Sequence, residues 1–132
     1  MDKQNHIIGT FKEESAWHMS AFVKFYKGIE TLFESDGNGN VRLWDFEKKT
    51  MISKISCSGC LYGIILWNQK YIIASSSDKS IKILDIEQQK CVKSLSGQHK
   101  DYVCCVRKII HPKYGESLLS GSHDGSIKLW TI

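Results

Sequence analysis

The chain has 132 residues, 42% of them hydrophobic and 24% charged, with a single proline, the make-up of one globular domain of modest size. No run approaches the apolar length of a membrane span, and the opening MDKQNHIIGTF is too polar for a secretory signal and too mixed in charge for a transit peptide; a cytoplasmic or nuclear location is the expectation. The formal net charge is +4, with lysines scattered in ones and twos, which reads as a solvated mixed surface rather than the basic stripe of a nucleic-acid binder.

In chain order the predicted elements are short strands and tight turns. HIIGTF (residues 6–11) is strand-like. WHMSAFVKF (17–25) is a second strand, followed by the turn YKGIE. LFESDGNGNVRLW (32–44) contains two apolar entries, a Gly-rich turn and an alternating exit, the pattern of a hairpin. DFEKKT (45–50) is charged and turn-like, and MISKI (51–55) closes the set. The order then repeats with LYGIILW (61–67), IIASSSDKSIKIL (72–84), DIEQQK (85–90) and CVKSL (91–95). It repeats again with YVCCVRKII (102–110) and LLSGSHDGSIKLW (118–130). Nothing in the chain has the length and 3.6-residue period of a helix, so the expected class is all-β.

The three hairpin segments align without a gap on Trp44, Leu84 and Trp130, anchors spaced 40 and 46 residues apart. Asp78 and Asp124 precede their anchors by six residues, and Asn38 stands at that place in the first unit. A period of this size marks a repeat architecture in which each unit shelters its neighbour. The units run over residues 12–55, 56–95 and 96–132 of a single domain, with 6–11 as a closing outer strand.

The segments NVRLWD (40–45), SDKSIKILD (77–85) and SHDGSIKLW (122–130), with the entry SGQHKDYV (96–103), resemble the WD-repeat β-propeller family over nearly the whole chain. The resemblance implies three four-stranded antiparallel blades, either a partial ring or half of a six-bladed ring completed by dimerisation. It also implies a structural hydrogen-bond network of His99, Ser120, Asp124 and Trp130 in the third unit. In the second unit Ala74 and Leu84 replace the Ser and Trp, and in the first Glu34 and Asn38 replace the Ser and Asp, so one blade is expected to be better pinned than the others.

Propellers commonly have four to eight blades, so three units leave two apolar flanks exposed. A second copy, another chain, or further sequence of a longer product would cover them. The expected function is that of a non-catalytic scaffold binding a protein or peptide through loops at one end of the blades. Trp17, Tyr62, Lys79, Tyr102 and His123 are the candidate contacts, because aromatic and charged side chains dominate interface energetics. The alternatives are an assembly part that completes a ring and a nucleic-acid-associated factor. CSGC (57–60) has metal or redox spacing but no second pair of the same spacing to complete a zinc set, and a turn is the simpler reading. Cys104 and Cys105 alternate, which places one in the core and one against a neighbouring blade. No cofactor, metal or catalytic set is expected.

Overall fold

The structure is a computed structural model that describes residues 5–12 and 17–132. Eleven strands build three antiparallel sheets in the order of the sequence, and the described residues contain no helix. The first sheet holds β1 (His18–Tyr26), β2 (Ile29–Asp36), β3 (Asn40–Asp45) and β4 (Thr50–Ser56). The second holds β5 (Leu61–Leu66), β6 (Tyr71–Ser76), β7 (Ile81–Asp85) and β8 (Lys90–Leu95). The third holds β9 (Val103–His111), β10 (Gly115–Ser122) and β11 (Ile127–Thr131). Every neighbour in a sheet is its neighbour in sequence, so tight turns suffice as connections. The β1–β2 turn shows why they close: Lys27 and Gly28 both take positive φ, 49° and 82°, a twist that matches the right-handed twist of the strands they join.

Register repeats as faithfully as sequence. Leu32 pairs with Trp44, Ile72 with Leu84 and Leu118 with Trp130, so the gapless alignment is a real structural equivalence. Bulges repeat too. Ile52 and Val92 are the extra residues of the outer strands, and Met19, Tyr62 and Cys104 those of the inner strands.

Side chains alternate across a strand, and stacking of the sheets buries both faces of the middle one. Its first seam joins Phe33, Val41, Leu43 and Ile55 to Ile64, Ile72, Ala74 and Leu84. Its second joins Ile73, Ile81 and Ile83 to Val103, Val106 and Leu118, with Trp130 alongside. The inner strands β1, β5 and β9 meet in succession, β5 touching both others. Outer strands β4 and β8 carry Lys54, Lys90 and Lys93 beside their exposed apolar residues, charges that discourage pairing with a foreign edge.

Two flanks differ in kind. The outward face of the third sheet is bare, with Ile127 78% and Leu129 45% exposed. For that reason Cys105, expected against a neighbouring blade or in the core, is exposed, and Cys104 is only half-buried. The outward face of the first sheet is partly covered. Phe11 meets the Trp44 ring edge-on at 5.8 Å and stacks on Phe46 at 5.7 Å. Residues 6–11, expected to form a closing outer strand, therefore lie as a strand-free segment against the first sheet, held there by this aromatic contact.

Candidate functional site

At one end of the sheets, the turns after β2, β6 and β10 meet the residues that lead into β1, β5 and β9. The same main-chain clasp ties each pair. Gly37 N donates to Trp17 O at 2.8 Å, Ser77 N to Cys60 O at 2.9 Å and His123 N to Tyr102 O at 3.0 Å. Three clasps in equivalent places make one rim from six loop segments.

Side chains on this rim come from the starts of the inner strands and from the turns clasped to them. Tyr62 is the extra residue of the β5 bulge, and a bulge turns a side chain away from the regular alternation. Its ring lies 6.1 Å from that of Tyr102, which lies 5.6 Å from the His123 ring. Tyr62, Tyr102 and His123 thus form an aromatic strip that crosses from the second sheet to the third, with Tyr102 41% exposed. Trp17 stands at the corresponding place on the first sheet, 85% exposed. Lys79 occupies the β6–β7 turn at φ 74°, its amide donating to Ser76 O at 3.3 Å. The Tyr62 phenol is raised above its usual range, first by burial and then by Cys60 and Tyr102 nearby. It therefore stays protonated, a hydroxyl donor on an apolar ring.

Beneath the rim each sheet holds its turn with a different strut. In the third, Trp130 Nε1–H donates to Ser120 Oγ at 2.8 Å, and Ser120 Oγ lies 2.7 Å from His99 Nε2. His99 Nδ1 lies 2.9 Å from Asp124 Oδ2. With the proton on Nδ1 the chain runs in one direction from Trp130 to Asp124, each buried donor finding an acceptor. Asp124 also accepts from the amides of Lys100 and Ser126, at 3.0 and 2.9 Å. Its carboxyl is held far below the ordinary range, most strongly by the Ser126 hydroxyl and the Lys100 amide. His99 and Ser120 are buried and inward-facing, which suits a strut and not an open catalytic set.

Sequence reasoning did not find the struts of the other two sheets. In the second, Lys82 Nζ reaches Asp78 Oδ2 at 2.5 Å and Ser94 Oγ at 3.3 Å. Burial pushes the Asp78 carboxyl up, but bonds from Lys82, Ser80 and Ser76 outweigh it and bring the value to about 2. In the first, Arg42 is 1% exposed and pairs with Glu34 at 2.9 Å and Asp36 at 2.8 Å. Glu34 also accepts from Trp44 Nε1–H at 3.4 Å and faces His18 Nδ1 at 2.5 Å. Asp36 does the work of two residues. Its Oδ1 accepts the amides of Asn38 and Asn40 at 2.9 and 3.0 Å, roles divided between Ser76 and Asp78 in the second sheet. A signal was present: Arg42, Lys82 and Lys128 align as the only cation positions of the hairpin exit, each four residues after the turn Asp or Asn.

The CSGC segment splits. Cys57 packs into the seam between the first two sheets, while Cys60 sits on the rim, its amide bonded to Ser77 Oγ at 2.9 Å. Among the described residues no group of three or more His, Cys, Asp or Glu is placed to hold a metal ion, and no helix is long and apolar enough to cross a membrane.

Residues 89–131 match the family described as WD domain, G-beta repeat. The chain is 47% identical over 57 residues to protein transport protein sec13 of Emericella nidulans, covering 42% of this chain and 18% of that protein. It is 27% identical over 126 residues to human WD repeat-containing protein 36, covering 94% of this chain and 14% of that protein. The chain spans 7% to 20% of the length of the curated relatives it matches. Among solved structures, that of U3-55K superposes with a TM-score of 0.74 at 18% identity, over 92% of this chain and 38% of that one, a likeness of fold.

Proposed function

We propose, from the match of residues 89–131 to the WD domain, G-beta repeat family and the likeness to WD-repeat proteins along the chain, that this is a WD-repeat protein serving as a non-catalytic scaffold that holds a protein or peptide partner on the rim. Relatives of this family include a protein named for protein transport and a coatomer subunit, which supports a role in assembly. The observation that carries the reading is the Tyr62–Tyr102–His123 strip, an aromatic surface set across two sheets by repeated backbone clasps. Tyrosines contribute large contact area at small entropic cost and offer a hydroxyl to a partner's main chain. Trp17, just ahead of β1, extends the contact to the first sheet, and Lys79 extends it to the β6–β7 turn of the second. The buried networks under the rim keep the loops in place before a partner arrives, which lowers the ordering cost of binding.

The test is affinity capture with the native chain and with a Tyr62→Ser/Tyr102→Ser pair. The reading expects specific partners to be lost in the variant, with unchanged circular dichroism. Partners retained at full yield would reject it.

A second role rests on a separate observation, the bare face of the third sheet. Its Leu119, Ile127 and Leu129 occupy the positions that Phe33, Val41 and Leu43 bury in the first sheet, and Ile73, Ile81 and Ile83 in the second. A face with that repeat-by-repeat equivalence fits another blade. Two copies meeting head-to-tail, third sheet on first, would give a six-bladed ring. Sedimentation near twice the 15.1 kDa chain mass supports that arrangement, and a monodisperse folded monomer removes it. Nucleic-acid association is weaker on this surface; binding to it would have to fall steeply with salt.

A further inference from the structure

Cys57 and Cys91 take no part in the rim, yet the fold brings them together. Cys57 lies just past β4 of the first sheet and Cys91 near the start of β8 of the second. Both are half-buried and pack on the same seam between those sheets, where β4 and β8 meet and Gln89 Nε2–H donates to Ser53 Oγ at 2.7 Å, and the two thiols lie within electrostatic reach of each other.

Their surroundings hold them in place. The Cys57 amide donates to Gly39 O at 2.7 Å, and Gly39, at φ 86°, sits so close that a Cβ there would collide with the Cys57 carbonyl. Cys91 Sγ lies 3.4 Å from Lys93 O and 3.9 Å from Ser94 Oγ. Ser94 in turn accepts from Lys82, whose ammonium is held by Asp78. The Lys82–Asp78 ion pair thus lies beside the seam, its cation lowering the Cys57 thiol and its carboxylate raising it.

We propose that Cys57 and Cys91 are a redox site, closing under peroxide to a reversible disulfide that staples the first sheet to the second at their outer strands. The chemistry needs one peroxide. The Cys91 thiolate attacks a peroxide oxygen, the O–O bond breaks, and the released hydroxide leaves as water with the proton Cys91 gave up. Cys91 is then a sulfenic acid. Cys57 attacks that sulfur, the S–S bond forms as S–O breaks, and the departing hydroxide takes the Cys57 proton as a second water. Two thiols lose two electrons, and one peroxide becomes two waters.

The asymmetry of the pair assigns the order. Burial raises the Cys57 thiol to about 12, with Cys91 nearby adding to the effect. A thiol that stays protonated is a poor first target for peroxide and is spared over-oxidation. Cys91 is the entry point and Cys57 the resolving partner.

The test is mild hydrogen peroxide on the full chain, then alkylation of free thiols, digestion and mass spectrometry. The expected product is a dithiothreitol-reversible peptide pair joining Cys57 to Cys91, with the chain lighter by two hydrogens. Urea unfolding of the oxidised chain should slow roughly ten-fold, because the staple holds strands that part early. Cys57→Ala or Cys91→Ala should abolish the product. A Cys60→Ala/Cys104→Ala/Cys105→Ala chain should form it undiminished, and that arm stands even where the single variants fold poorly. A Cys104–Cys105 link in place of it, or Cys91 oxidised with Cys57 still free to alkylate, would overturn the proposal.

Discussion

Removing one oxygen from the third sheet should be costly. Ser120→Ala deletes the atom that accepts from Trp130 Nε1–H at 2.8 Å and bonds His99 Nε2 at 2.7 Å. Ser120 is 1% and His99 4% exposed, so no water reaches the His99 nitrogen left without a partner. An unsatisfied buried polar group costs about 1–3 kcal/mol. The half-buried Trp130 indole recovers part of its bond from solvent and adds a fraction of that. The expected loss is about 2–3 kcal/mol, the full penalty at His99 with a fraction at Trp130. With a urea slope of about 1–3 kcal/mol/M for a chain of this size, the midpoint falls by about 1–2 M. Tryptophan fluorescence across a urea series reads it, provided the slope is unchanged.

A second arm isolates the cause. His99→Phe alone strands Ser120 and Asp124. Adding it to Ser120→Ala removes both ends of the central bond, so the double variant should lose clearly less than the two single losses combined. A Ser120→Ala loss below about 0.5 kcal/mol, or strict additivity in the cycle, would refute the reasoning that these groups act as one chain.

Acid should unfold the chain through its turn carboxylates. Asp78 titrates near 2 when folded against an ordinary value of 3.8, so its contribution is complete above pH 4 and is lost as pH falls through 2. Asp36 and Asp124 are lowered too and act in the same direction; Lys82→Met should make the acid limb shallower, as a pH series of urea midpoints would register. Leu129→Lys on the bare third face should leave the fold intact and reduce any dimer to the 15.1 kDa chain, read by sedimentation. Arg42→Met should destabilise the first sheet by about 3–5 kcal/mol, since it leaves Glu34 and Asp36 buried without their cation; thermal unfolding at neutral pH measures it.

The hairpins were legible because local chemistry specifies them. LFESDGNGNVRLW, IIASSSDKSIKIL and LLSGSHDGSIKLW each carry their turn and both apolar anchors within 13 residues, and the structure pairs those anchors identically. The strut of the third sheet was placed through the family resemblance, which His99, Ser120, Asp124 and Trp130 match position by position. Arg42 and Lys82 were missed because a cation in an alternating run reads as facing water. Here that face meets another sheet, or in the first sheet lies beneath Trp44 and Phe11, and the cation is buried with a carboxylate. Asp36 was overlooked because it sits two residues before the position that carries the acid elsewhere. The aromatic strip needed the clasps between loops, long-range contacts that no single segment encodes. Cys57 and Cys91 lie on different sheets, 34 residues apart, and no spacing within either segment connects them.

A photo-crosslinking amino acid placed in turn at His123, on the rim, and at Phe25, near the opposite end of the first sheet, tests the central claim most directly. In cells the account predicts protein adducts from position 123 and few or none from position 25. Adducts from position 25 alone would contradict it.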